Sequence, residues 1–119
     1  MSKTLVGNTG EKAACSYIAS SGMQLIARNY RKGVGGEIDI IARDGETIAF
    51  IEVKTRTGTS YGTPAEAVTP AKITKIVRTA EKYIMENKLF DCALRFDVAE
   101  VYYNSGRYSI NYIKNAFEA

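Results

Sequence analysis

The stretch from Gly35 to Arg56, GGEIDIIARDGETIAFIEVKTR, holds two runs of alternating hydrophobic residues joined by Asp44-Gly45. An Asp-Gly step between such runs is among the strongest short-range signals for a β-hairpin, and it commits this segment to an antiparallel pair. A two-residue turn at Asp44-Gly45 pairs Arg43 with Glu46 and, counting back, Asp39 with Phe50 and Glu37 with Glu52. Because side chains alternate along a strand, Ile38, Ile40 and Ala42 join Ala49, Ile51 and Val53 on one apolar face. Glu37, Asp39, Glu52 and Lys54 then share the other. In that register Asp39 and Glu52 are diagonal neighbours, with Cβ atoms roughly 7 Å apart. A slip of one residue would send Glu52 to the opposite face.

The remaining elements follow from Gly, Pro and Asn punctuation. A first helix is expected from about Thr9 to Ser21, with Asn8 and Glu11 at capping-box spacing and Gly22 as the stop. MQLIARNYR reads as a strand, and RKGVGG as a loop leading into EIDIIAR. After TIAFIEVKT comes a polar loop, RTGTSYG, ending at Thr63-Pro64. Thr69 and Pro70 fit the N-cap and first position of a helix reaching about Lys88. ALRFDVAEVYY and RYSINYI alternate as strands around Asn104-Ser105-Gly106. The order αβββαββ predicts an α/β domain: a central mixed β-sheet flanked by helices.

Composition narrows the class. A chain of 119 residues with 45% hydrophobic content is one ordinary domain, residues 1–119, with no repeat or linker. Its apolar runs are far shorter than the ~20 residues that span a bilayer. The segment MSKTLVGNTGEK lacks the apolar stretch of a signal peptide, so a cytoplasmic protein without a membrane partner is expected. Cys15 and Cys92 form no CxxC pair and read as reduced thiols. The chain has no histidine, which excludes imidazole mechanisms, and a net charge of +3 allows a polyanion partner without demanding one.

Carboxylates crowded at one end of a sheet repel one another and lose solvation unless protonation or a cation relieves them. Lys54 supplies one charge, and oxygen ligands of this kind also suit a hard divalent ion, Mg²⁺ first and Mn²⁺ as a substitute. Phosphodiester hydrolysis uses such a site, with a lysine positioning water or stabilising developing charge. The competing reading from spacing is a cross-strand salt-bridge network of Asp39, Glu52 and Lys54 on a solvated face.

GEIDIIARDGETIAFIEVKTR resembles the D…ExK motif of the PD-(D/E)XK superfamily, the restriction-endonuclease-like nucleases. The likeness to its bacterial YraN-like branch extends over nearly the whole chain through TGEKAA, NYR, GTPAEAVTPAK, RFDVAEV and the terminal NAF. The resemblance implies a restriction-endonuclease-like core, with Asp39 and Glu52 as metal ligands and Lys54 as the catalytic lysine. It also implies that Glu11 approaches the same site as a further acidic ligand, as a comparable glutamate does in the archaeal Holliday-junction resolvases. Two positions depart from the usual pattern: Tyr30 stands where an indole is common, and Tyr112 where many relatives carry histidine. The branch passes on no substrate of its own.

Other residues carry two readings each. Glu11 is also explained as half of the capping box, with the resemblance favouring the site role. Glu37 could tune the site or bind a second ion, or be simply solvated beside the glycine loop. Thr55 and Arg56 follow the ExK directly and could reach a phosphate, or Arg56 could be an exposed strand end. Along the helix after Pro70, Lys72, Lys75, Arg78 and Lys82 form a basic stripe opposite Ile73, Ile76, Val77, Ala80, Tyr83 and Ile84. That stripe suits a nucleic-acid backbone or an ordinary solvated face, and in the fold that the resemblance implies Lys72, nearest the helix start, would lie closest to the carboxylates. Arg28, Arg31 and Lys32 make a basic lead into the glycine loop beside Glu37. Tyr108 and Tyr112 fall at strand spacing and are expected to be packed. The reading reached is a Mg²⁺-dependent endonuclease on nucleic acid, DNA before RNA and branched DNA in particular. Arg31, Lys32, Arg56, Lys72, Lys75 and Arg78 would position the backbone, and a homodimer addressing two strands is compatible with it. The alternatives are a noncatalytic nucleic-acid-binding module of the same fold and a structural or partner-binding domain.

Overall fold

The computed structural model describes residues 3–33, 35–57 and 68–118. The expected turn at Thr63-Pro64 lies outside them. Along the chain run α1 (Lys3–Ser20), β1 (Gln24–Arg31), β2 (Glu37–Asp44), β3 (Thr47–Thr57), α2 (Pro70–Glu86), β4 (Ala93–Asn104) and β5 (Arg107–Ile113). The five strands form one mixed sheet in the order β1-β2-β3-β4-β5, antiparallel except for the parallel pair β3–β4. A parallel pair cannot be joined by a tight turn, and the crossover through α2 supplies the connection.

The helix ends follow local chemistry in part. The Thr69 hydroxyl accepts a hydrogen bond from the Lys72 amide, and Pro70 opens α2, as its fixed φ and missing N–H favour. Gly22, at φ 92°, lies just past α1. The start of α1 differs from expectation. It begins at Lys3, so position 8 lies inside the helix and the Asn8–Glu11 spacing is not a capping box. A capping motif marks a helix start only where the preceding chain leaves the helix, and residues 3–8 continue it.

The hairpin also differs, in a way that matters. Asp44 pairs with Thr47, Ala42 with Ala49 and Ile40 with Ile51, so the turn residues are Gly45 and Glu46, not Asp44 and Gly45. Gly45 takes the left-handed conformation (φ 63°) at the first turn position, which glycine alone adopts without cost. Asp44 stays in the ladder, its Oδ2 held by Arg95 Nη1 at 2.9 Å. Each residue's partner moves by two, so every side chain keeps its face. Continued along β2, this register sets Asp39 opposite Glu52 instead of Phe50.

Both sheet faces are covered. On one, α1 contributes Ala14 and Ile18 to a core with Ile40, Ala42, Ala49, Ile51, Ala99 and Val101. On the other, Ile76, Ala80 and Tyr83 of α2 pack on Ile38, Ile41, Ile48, Phe50, Phe96 and Val98, with Ile73, Val77 and Ile84 at the margin. The second face of the hairpin is therefore mainly apolar, with charge confined to one end, and Ile38 lies on the α2 side, apart from Ile40. Tyr108 and Tyr112 pack against the α1 core as expected, and both cysteines are free and half-buried. No described helix is long and apolar enough to cross a membrane.

Candidate functional site

The charged end of the sheet is where strand regularity fails. Ile38 and Ile40 should share a face, yet they enter different cores, so alternation breaks at Asp39. β1 breaks with it: Ala27 and Tyr30 meet on the α2 side although they are three residues apart. Between them Asn29 holds a left-handed φ of 52°. Asn29 and Asp39 fall in the same gap, between the pairs Arg28↔Ile40 and Tyr30↔Ile38. Across the sheet, the β2–β3 pairing ends at Ile40↔Ile51, and one step on Asp39 Oδ2 accepts the Val53 backbone N–H at 2.8 Å. A side chain replaces the ladder there, and β2 and β3 part around it.

A cavity of about 330 Å³ opens at that split, lined by Glu37, Asp39 and Glu52 from the strands, Lys72, Lys75 and Ile76 from α2, and the glycines at 35 and 36. Gly36 is needed for closure of this wall. A Cβ there would sit 2.2 Å from Thr79 Oγ1 and 3.0 Å from the Lys75 carbonyl oxygen, so only glycine lets the loop lie on α2. Glu52 is buried, and its Oε1 pairs with Lys72 Nζ at 2.5 Å. Burial and the Glu52 charge push Asp39 up to about 7 against the pull of the Val53 N–H, with Glu11 and Glu37 adding to the rise. Burial likewise raises Glu11, opposed by Arg28 and reinforced by Glu37 and Glu52. Burial disfavours the Lys72 ammonium, but the hydrogen bond and charge of Glu52, with Asp39 and Glu37, outweigh it and raise that pKa. The four carboxylates thus belong to one electrostatic unit.

Glu11 reaches this unit from α1 without lining the cavity. Gly10 permits the approach, since a Cβ there would stand 2.1 Å from Thr55 Oγ1 on β3. Thr55 therefore faces α1, on the sheet face opposite the Glu52 side chain. With its amide nitrogen turned toward the acids, Asn29 donates to Glu11 Oε1 (3.0 Å) and Glu37 Oε1 (2.8 Å) and ties helix to strand. Lys54 shares the Glu52 face by alternation and is half-buried, but it does not line the cavity. The ammonium paired with a cavity carboxylate is that of Lys72.

The basic residues divide. Lys75 lines this cavity and, with Arg78 and Lys82, a neighbouring one of about 370 Å³ that shares Gly35 and Gly36. Arg31 lines a third hollow at the same glycines and pairs with Glu37 at 3.1 Å. Lys32 is turned to Glu86, at 2.5 Å. Arg56 is neither a free phosphate ligand nor an exposed strand end: it is largely buried, with Nε 3.3 Å from the fully buried Glu100, which Asn111 also contacts at 3.1 Å.

In chemical terms Asp39 and Glu52 are hard oxygen donors in one cavity and suit a Mg²⁺-type ion, the more so because their repulsion calls for a cation. Among the described residues, however, no three His, Cys, Asp or Glu side chains converge ready to hold a metal. Glu52 is committed to Lys72 instead. Sequence reasoning missed three of these features: the Asn29 clamp, the Glu100–Arg56 pair and the replacement of the ladder by Asp39. Only the first left a signal, an asparagine inside a strand where its side chain is disfavoured.

The sequence profile of the uncharacterised protein family UPF0102 matches residues 10–101. The chain belongs to the UPF0102 family. A UPF0102 protein of Caldicellulosiruptor saccharolyticus is 44% identical to it over 98% of this chain and all of its own length. One from Clostridium botulinum strain Loch Maree is 49% identical over 95% of this chain and 94% of its own. One from Symbiobacterium thermophilum is 47% identical over 96% and 97%. The UPF0102 match begins at Gly10, beside Glu11, and runs through Asp39, Asn29, Glu52, Lys54, Lys72 and Glu100.

Proposed function

We propose that this UPF0102 chain is a metal-dependent phosphodiesterase acting on nucleic acid, with a restriction-endonuclease-like core of the PD-(D/E)XK kind. The observation that carries the reading is the meeting of Asp39 and Glu52, from parting strands, in one cavity with an ammonium. A salt-bridge network on a solvated face would not bury Glu52 or hold Asp39 near 7. In this reading Asp39 and Glu52 hold Mg²⁺, with Mn²⁺ as a substitute, and Glu11 supports them from α1 through Asn29. Bound there, the ion supplies Lewis acidity at a phosphoryl group. The Val53 N–H fixes one Asp39 oxygen, leaving the other for coordination. Lys54 holds the attacking water by its ammonium, Lys72 offers positive charge inside the cavity, and the hollow bounded by Lys75, Arg78 and Lys82 takes the flanking backbone. DNA, branched DNA in particular, is the proposed substrate, and the cytoplasm the proposed location.

The test incubates wild type, Glu52→Ala and Lys54→Ala with single-stranded, duplex and branched nucleic acids in Mg²⁺ or Mn²⁺. Cleavage by wild type alone supports the reading, and equal cleavage by all three removes it as contamination. The Glu52–Lys72 pair favours a second reading, a noncatalytic nucleic-acid-binding module. Binding that survives Glu52→Ala, with no cleavage in any metal, would select it.

A further inference from the structure

The Lys72 ammonium pairs with one oxygen of a carboxylate that the proposed ion would need. Glu52 is 5% exposed and fixed on the sheet, while the Lys72 side chain is 43% exposed and reaches down from the first turn of α2. Its backbone is anchored by the Thr69 cap, so the side chain alone has freedom to move. Of the other cations near the site, Arg31 is engaged by Glu37, Arg28 acts on Glu11, Lys75 lines the cavity, and Lys54 lies on the Glu52 face outside it. Among the described residues Lys72 is the cation paired with Glu52, and a divalent ion brought to that carboxylate meets the repulsion of the ammonium and competes with it for Oε1.

We propose that Lys72 is a built-in competitor for the divalent ion at Glu52, so that its ammonium sets the metal affinity of the cavity and is released into it on loading. The inference rests on the metal reading above and deepens it. Removing the competitor while keeping the stem should strengthen ion binding, because the ion then meets an unpaired carboxylate. A longer-lived, forked pair at the same position should weaken it.

Isothermal titration with Mn²⁺ alone reads this without any turnover. Lys72→Met is expected to bind Mn²⁺ on the order of tenfold more tightly than wild type. Lys114→Met, which removes a lysine paired with Asp44 at the far end of β2, should bind as wild type does, and Glu52→Gln should bind no ion. If Lys72→Met binds no more tightly than Lys114→Met while Glu52→Gln fails to bind, the competitor role is overturned and the metal site stands. If no protein binds Mn²⁺, the metal reading falls and the competitor role with it. Should Lys72→Met prove too unstable to titrate, Lys72→Arg decides: several-fold weaker binding supports the proposal, and equal or tighter binding overturns it.

Discussion

At the level of single residues, Asp39 couples the cavity to pH. Its carboxyl rises from 3.8 to about 7 on folding, so between those values the folded state binds more protons than the unfolded one, and stability falls as pH climbs from about 4 to about 7. Glu11 shifts in the same direction. In metal-free buffer, Asp39→Asn should flatten this decline and raise Tm at pH 8 by about 5 °C, measured by thermal melts from pH 4 to 8. A Tm for Asp39→Asn below wild type at pH 8 would show that the ionised carboxylate is not strained. Tyr112 illustrates the opposite economy of charge. Its hydroxyl donates to Asp97 Oδ2 at 2.5 Å, and Asp97 is fully buried, held also by Arg95 and the Asn115 N–H. Tyr112→Phe should cost about 1–3 kcal/mol in urea unfolding, the usual penalty for removing a partner from a buried acceptor. The acidic residues of the cavity were legible because their types and spacing are written in the chain. That Lys72 would lie nearest the carboxylates followed from the implied fold, but its pairing with Glu52 was not legible, since that pair joins residues from separate elements.

Among the elements, the contact between α1 and β3 decides whether Glu11 belongs to the cavity. Gly10→Ala would press a methyl group against Thr55 Oγ1, at 2.1 Å, and overpacking of this sort costs about 1–3 kcal/mol. Gly10→Ala combined with Thr55→Ala should recover part of that loss, since the Thr55 Cβ remains 3.2 Å away. Strict additivity of the two changes in denaturant melts would show that helix and strand do not meet there. The elements themselves were readable from periodicity and punctuation: the basic and apolar stripes of α2, its Thr69-Pro70 start and the alternation of β5 appear where the pattern puts them, whereas β4, covered on both faces, is buried without a break from Phe96 to Val101. The start of α1 was misplaced because a capping-box spacing inside a longer helix is indistinguishable by sequence from one at its end. The hairpin register was misplaced by two because Asp-Gly can put either residue at the first turn position, and contacts from Arg95 on β4 kept Asp44 in the ladder.

For the whole molecule, one sheet separates two cores, and Phe50 stands at the centre of the α2 side, its ring 5.6 Å from Phe96 and 6.0 Å from Tyr83. Phe50→Ala should cost about 3–5 kcal/mol, seen as a lowered urea midpoint, and should loosen the α2 wall that carries Lys72 and Lys75. An effect under 1 kcal/mol would mean that α2 is held chiefly from elsewhere. The amino-acid sequence alone determined the order of elements, the shared apolar face of Ile40, Ala42, Ala49 and Ile51 and the grouping of Glu37, Asp39 and Glu52 at one end of a hairpin, because these depend on alternation and turn chemistry between near neighbours. The tertiary structure decided that β2 and β3 part at Asp39, that Asn29 gathers Glu11 and Glu37, and that Lys72 neutralises Glu52. Those outcomes depend on how closely two helices approach opposite faces of one twisted sheet, and no local pattern encodes that distance.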